Sequence, residues 1–90
     1  MIAQKDLDHI ISRVEAQGLS ETLIGELRTQ FNEYHFTYCM DDDMGSYKPA
    51  IASKTFNIYF VDSSDHCSKL TPSQEHASGM VLAEVYDDEI

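Results

Sequence analysis

The chain has 90 residues, and its 16 acidic residues against 6 lysines and arginines give a formal net charge of -10. This length predicts a single domain, residues 1–90, with one modest core. So strong a negative charge disfavours binding to nucleic acid or to anionic membranes, because both carry negative surfaces. It favours instead a protein partner that carries a basic patch.

The sequence carries no sign of export or membrane insertion. No apolar run approaches the roughly 20 residues needed to cross a bilayer. The first residues lack the basic and apolar blocks of a signal peptide. We therefore expect a cytoplasmic protein in which Cys39 and Cys67 are reduced thiols.

The first third of the chain predicts two amphipathic helices. Over residues 4–17, apolar side chains recur at helical spacing, and Gly18 is expected to end this helix in a left-handed conformation. Ser20 is the expected N-cap of a second helix over about residues 21–31. The short connection predicts an αα-hairpin whose main role is to cover a sheet.

The rest of the chain predicts strands. Residues 34–40 alternate in period two, and residues 56–62 form an aromatic and β-branched central strand. A last strand is expected over residues 80–86. The connections are a loop over 41–53, a short edge strand or extended chain over 66–70, a short helix over 72–78, and a frayed acidic tail over 87–90.

The predicted fold is α+β. The N-terminal αα-hairpin packs on one face of a mainly antiparallel three- to four-stranded sheet, and a short helix precedes the last strand. The central strand should receive both helices, because Phe56, Ile58 and Phe60 are three large side chains on one face. The opposite, outer face is half apolar. It is either an interface or is covered by the loop 41–53.

Candidate metal ligands are present without a recognised spacing. They are His35, Cys39, His66, Cys67 and His76, with Asp41, Asp42, Asp43, Asp62 and Asp65 nearby in sequence. The favoured interpretation is surface histidines and packed thiols, with no cofactor. The alternative is a metal- or redox-linked protein that uses Cys39, His66 and Cys67. The three consecutive aspartates lack the spacing of a calcium loop and indicate a solvated or docking surface.

Nothing in the sequence names a reaction. His66 and Cys67 are adjacent in sequence, but a cysteine nucleophile needs a histidine base held in place by a third group. There is no glycine-rich phosphate loop and no hydrolase or zinc-protease motif. We therefore expect a protein that is not an enzyme.

In the layout of its strand segments, the chain resembles a family of small, uncharacterised bacterial proteins. The segments that carry the resemblance are residues 35–39, 56–62, 66–67 and 79–85, so it covers nearly the whole chain. The family is similar to accessory factors encoded near nitrogen-fixation genes. The resemblance implies such a role and carries over no catalytic residue.

These observations give three hypotheses and leave the oligomeric state open. The first is a non-catalytic cytoplasmic accessory protein that binds a protein partner. Its interaction surface is expected at His35, Thr37, Asn57, Tyr59, Asp41, Asp42 and Asp43. The second is the metal- or redox-linked protein. The third is a nucleic-acid mimic, which requires the acidic side chains to share one continuous face.

Overall fold

A computed structural model describes residues 1–63 and 69–85. The elements in chain order are helices α1 (Gln4–Gln17) and α2 (Glu21–Gln30), strand β1 (His35–Met40), the 3₁₀ helix Asp41–Met44, and strands β2 (Ile51–Ala52), β3 (Phe56–Asp62), β4 (Lys69–Thr71) and β5 (Gly79–Glu84). The α+β class with two N-terminal helices is confirmed. Within the described ranges, neither helix is long and apolar enough to span a membrane.

The helical hairpin follows the predicted boundaries closely. The Ser20 hydroxyl accepts a hydrogen bond from the Leu23 N–H at 3.1 Å, which confirms Ser20 as the N-cap. Gly18 ends α1 with φ 80° and ψ 152°, so it has the positive φ that glycine permits but not the expected left-handed helical ψ. Arg13 of α1 joins the helices through an ion pair with Glu26 and a 3.0 Å hydrogen bond to Gln30.

The sheet differs from the prediction in strand number and direction. Its order is β1-β5-β3-β2, and β4 pairs with β3, so five strands take part within the described residues. β3 is antiparallel to β2, β4 and β5, but β1 is parallel to β5. The expected mainly antiparallel sheet of three to four strands is therefore matched only roughly. Strand direction depends on where β5 enters the sheet, which local periodicity does not encode.

The short helix predicted over residues 72–78 is wrong. This segment forms a turn, in which the His76 N–H donates to the Ser73 carbonyl at 3.2 Å. The Gln74 carbonyl accepts from the Ile2 N–H at 3.2 Å, and the Gln74 side chain donates to the Ile2 carbonyl at 2.8 Å. A helix this short does not recover its nucleation cost, so hydrogen bonds to the N-terminus prevail over helical ones.

Two other connections also differ from their predictions. The loop 41–53 contains the 3₁₀ helix and β2, which pairs Ile51 with Ile58. The edge strand expected over 66–70 is β4, displaced to Lys69–Thr71, while residues 66–68 lie outside the described residues. The predicted acidic tail over 87–90 also lies outside them.

The main core lies between the helices and one face of the sheet. Phe56, Ile58 and Phe60 are 0%, 0% and 4% exposed, which confirms that β3 is the platform for the helices. The residues from the helices that share this core are Leu7, Ile10, Val14, Leu23, Ile24 and Leu27, with Ile11 partly buried against it. The inner face predicted for β3 is therefore the buried face.

β1 and β5 approach closely where their pairing begins. Gly79 lies opposite His35, and a Cβ atom at position 79 would lie 2.5 Å from the His35 carbonyl oxygen. That separation is well inside van der Waals contact, and backbone cannot move aside cheaply. Glycine at position 79 is therefore a packing requirement of the parallel pair.

Replacement of Phe60 by alanine tests the core. Phe60→Ala should lower the free energy of unfolding by about 3–5 kcal/mol, because it truncates a buried aromatic side chain. Tyr47→Ala, at an aromatic residue that is 64% exposed, should change it by less than about 0.5 kcal/mol. Urea unfolding of the two variants measures both values, and similar midpoints for Phe60→Ala and the parent would contradict this architecture.

Two glycine-to-alanine changes should have opposite effects on stability. Gly79→Ala should destabilise the fold by about 1–3 kcal/mol, because the new methyl group overlaps the His35 backbone. Gly25 lies in α2, and a Cβ atom there would meet no tertiary neighbour within 4 Å. Gly25→Ala should therefore stabilise the fold by about 0.5–1 kcal/mol through helix propensity. Thermal unfolding compares the two variants, and the same sign for both would refute the assigned contact at Gly79.

Candidate interaction surface

The outer face of the sheet, opposite the helices, holds a second and smaller apolar cluster. Tyr59, Val81 and Ala83 are 3%, 8% and 0% exposed. The partly buried residues that pack against these three are Cys39, Met44, Val61 and Leu70. The outer face is therefore buried over part of its area, although neither α1 nor α2 lies on it.

The 3₁₀ helix Asp41–Met44 covers one end of this face. A single carboxylate oxygen of Asp41 accepts hydrogen bonds from the Tyr59 hydroxyl at 2.7 Å and from the Asn57 amide at 2.9 Å. The register places Ala83 of β5 between Cys39 of β1 and Asn57 of β3. Because Ala83 has only a methyl side chain, the Asp41 carboxylate can cross over β5 to reach β3.

Within the described residues, the other end of the outer face is not covered. A cavity of ≈ 610 Å³, which we call the outer groove, lies there. The residues that line it include His35, Thr37, Met44, Tyr47, Leu70 and Val81. His35, Thr37 and Tyr47 are exposed. The loop therefore covers one end of the face, as one of the two alternatives expected, and the other alternative, an interface, stays a prediction.

The residues expected to form the interaction surface fall into two groups. His35 and Thr37 line the outer groove, and Asp42 and Asp43 are exposed on the 3₁₀ helix beside it. The other three, Asp41, Asn57 and Tyr59, bond to one another and are buried or half-buried.

For these three residues the surface prediction stays a prediction. In the structure their polar groups hold the loop on the sheet. Period-two alternation assigns a side chain to a face, but it does not show what covers that face.

The Asp41 network alters the acidity of Tyr59. Burial, together with the hydrogen bond and the negative charge of Asp41, raises the pKa of Tyr59 to about 12. The phenol therefore stays protonated and donates to Asp41 across the physiological range. The folded state holds this proton more tightly than the unfolded chain does. The protonated phenol therefore makes its full contribution to the free energy of unfolding below pH 10, and that contribution declines as the pH rises through about 12.

Cys39 is poorly suited to nucleophilic chemistry. Its sulfur lies 3.6 Å from the sulfur of Met44. Burial raises the pKa of the Cys39 thiol, and the carboxylates of Asp43 and Asp41 raise it further. Reactive cysteines have a lowered pKa instead, because the thiolate is the nucleophile and the metal ligand. Cys39 is therefore a packed, protonated thiol near neutral pH.

The metal hypothesis gains no support from the part of the chain that is described. Across residues 1–63 and 69–85, no group of three or more histidine, cysteine, aspartate or glutamate side chains could hold a metal ion. His76 bonds to the Ser73 hydroxyl through Nδ1 at 2.9 Å. His66, Cys67 and Asp65 lie outside the described residues. The alternative that combines Cys39, His66 and Cys67 therefore stays a prediction.

Sequence reasoning missed the residues that the loops contribute. Met44 and Tyr47 line the outer groove, but they lie in a segment with no periodic pattern. It also missed Arg28, whose guanidinium donates to the Phe36 carbonyl from Nε at 3.3 Å and Nη2 at 2.9 Å. A basic residue in the last turn of α2 was the available signal, but it points equally to an interaction with the helix dipole.

The helical hairpin, the mixed sheet and the half-covered outer face define a small α+β protein whose open feature is a surface groove. The protein-family model described as "Family of unknown function (DUF6129)" matches residues 9–85, and the chain belongs to this family. This agrees with the expected resemblance to an uncharacterised family. Comparisons with curated proteins and with solved structures gave no match.

Removal of the Asp41 charge should change the titration of Tyr59. Asp41→Asn keeps a hydrogen-bond acceptor but removes the negative charge, so the pKa of Tyr59 should fall from about 12 while staying above 10.0 because the side chain is still buried. Asp42→Asn removes the same charge one residue away, at an exposed side chain, and should leave that pKa unchanged. NMR titration of the tyrosine ring carbons measures both, and an equal effect of the two variants would contradict the assigned network.

Proposed function

We propose that this protein is a non-catalytic accessory protein of the cytoplasm that binds a protein partner carrying a basic patch. The outer groove and the exposed Asp42 and Asp43 beside it form the proposed contact surface. The observation that carries the proposal is an apolar groove that the described residues leave open, with Met44 of the 3₁₀ helix in its lining and Asp42 and Asp43 exposed on the same helix.

This combination of surfaces is suited to protein recognition. Interfaces between proteins bury an apolar centre inside a polar rim. Met44, Leu70 and Val81 supply apolar side chains to the groove, and Asp42 and Asp43 are exposed on the 3₁₀ helix that carries Met44. The net charge of -10 accelerates encounter with a basic partner and repels acidic competitors.

The thiol chemistry supports a role without catalysis. Cysteine catalysis requires a thiolate and an adjacent base. Cys39 has a raised pKa and lies against the sulfur of Met44. Its surroundings therefore favour packing over nucleophilic attack.

The distribution of acidic residues favours this proposal over nucleic-acid mimicry. Asp8 and Glu15 are exposed on α1, in the helical layer. Asp42 and Asp43 are exposed on the opposite side of the sheet. A mimic of a phosphate array needs its charges on one continuous face, whereas these carboxylates point to two.

The resemblance to accessory factors encoded near nitrogen-fixation genes extends the proposal to a biological setting. We place the partner among proteins made when cells fix nitrogen. A partner from that setting should be captured from lysates of cells grown on dinitrogen and not from lysates of the same cells grown on ammonium.

Charge-neutral variants on the two sides of the molecule test the proposed surface. The double variant Asp42→Asn/Asp43→Asn should lose most of the partner captured by the parent from a native lysate at low salt. The matched double variant Asp8→Asn/Glu15→Gln removes the same charge from the helical layer and should retain capture. Raising the salt should weaken capture by the parent, because rim charges are screened.

Quantitative mass spectrometry of the captured proteins gives the readout. Equal capture by the two double variants would show that net charge alone is responsible, and would overturn the assignment of the groove. Failure of the parent to retain any specific protein at low salt would overturn the proposed function itself.

A further inference from the structure

We propose that the outer edge of β1 binds an extended basic segment of the partner, which adds to the sheet as a further strand beside β1. This inference rests on the proposed function and names the chemistry of the partner. The groove, the backbone of β1 and the surrounding carboxylates each contribute an observation.

The backbone of β1 directs groups away from β5 at regular intervals. The His35 N–H donates to the Ser78 carbonyl at 3.2 Å, and β1 is paired in parallel with β5 from His35 to Met40. In such a pair alternate residues direct their backbone groups to opposite sides of the strand. Phe36, Tyr38 and Met40 therefore direct theirs away from β5. The Arg28 guanidinium, which reaches the Phe36 carbonyl from outside the sheet, confirms this direction.

The edge lacks the usual protection against strand pairing. Natural edge strands carry lysine or proline, contain bulges, or are covered by another element. β1 has the sequence His-Phe-Thr-Tyr-Cys-Met, without any of these residues. Within residues 1–63 and 69–85, β1 pairs with β5 alone. Arg28 occupies one outward carbonyl, and as an exposed side chain it can move away when a strand arrives.

Carboxylates act on β1 side chains on both faces of the sheet. On the helical side, Glu84 accepts a hydrogen bond from the Tyr38 hydroxyl at 2.6 Å, and Glu21 also acts electrostatically on Tyr38. On the outer side, the Asp43 carboxylate acts on Cys39. A strand placed beside β1 therefore lies between acidic side chains above and below the sheet. Lysine or arginine side chains on either face of that strand would meet a carboxylate.

The same charges argue against a second copy of this chain as the occupant. Pairing of β1 with β1 would bring two sets of these carboxylates together on two chains that each carry a net charge of -10. Strand addition by a basic peptide uses the same backbone groups and gains electrostatic attraction. Its outer-face side chains would lie next to His35 and Thr37, which line the outer groove. The edge and the groove therefore form one continuous surface.

Amide hydrogen exchange with a synthetic peptide tests the proposal on the unmodified protein. The probe is a short peptide that alternates lysine with valine and threonine. It should slow exchange at the Phe36, Tyr38 and Met40 N–H groups by about tenfold or more, since each becomes hydrogen-bonded. Thr37 and Cys39 should change little, because their N–H groups already face β5. A peptide with glutamate in place of lysine should have no effect.

Several outcomes would overturn strand addition. The first is that millimolar lysine peptide protects no amide of β1 from exchange. The second is equal protection of the outward-facing and inward-facing amides. The third is equal protection by the glutamate peptide and the lysine peptide. A dimer that already protects the outward amides without peptide would assign the edge to a second copy instead.

Two variants at one position separate the backbone contribution from the side chain. Met40 has φ -85° and ψ 146°, which proline can adopt. Met40→Pro removes an outward N–H and leaves the β1–β5 hydrogen bonds in place, so it should weaken binding of the lysine peptide by about tenfold. Met40→Ala keeps the N–H and should bind within about threefold of the parent. Equal binding by the two variants would overturn the proposal.

The two sets of variants distinguish failure of this inference from failure of the proposed function. Suppose that Met40→Pro captures the partner as well as the parent does, while Asp42→Asn/Asp43→Asn loses capture. That result would leave the proposed function intact and refute strand addition. The amide spectrum of Met40→Pro reports whether it is folded. If Met40→Pro is not folded, the alternation of protected amides in the parent decides whether a strand adds to β1.

Discussion

The structure depends on β5 lying between β1 and β3 with both of its faces buried. Gly79 through Ala83 are all buried, so this strand belongs to both apolar clusters of the protein. Two small residues make the arrangement possible. Gly79 lets β1 approach where the parallel pair begins, and Ala83 lets the Asp41 carboxylate cross to β3. The last strand in the sequence thus completes both layers of the fold.

The outer face shows how a small acidic protein can keep part of a sheet open. The 3₁₀ helix Asp41–Met44 is tied down by hydrogen bonds from Asn57 and Tyr59, and this covers one end of the face. At the other end the described residues leave the apolar groove accessible. The net charge disfavours association of copies through such an apolar opening, because like-charged copies repel one another.

The edge of β1 is open for a related reason. Glu84 and Glu21 act on Tyr38 and Asp43 acts on Cys39, while the positively charged Arg28 holds the Phe36 carbonyl. Within the described residues, this leaves an edge with β-prone side chains and unpaired backbone groups, a combination that self-association would normally exploit. Repulsion between copies disfavours self-pairing and does not disfavour a basic strand.

The sequence by itself determined the parts that depend on neighbours along the chain. Both helices, the Ser20 cap and the inner face of β3 follow from periodicity and capping, which act over a few residues. Only the tertiary structure decided three other features. They are the parallel pairing of β1 and β5, the turn in place of the helix over 72–78, and the burial of Tyr59 under Asp41. Each of these depends on contacts between segments far apart in the chain, and local patterns carry no information about which distant backbone or carboxylate will fill a given position.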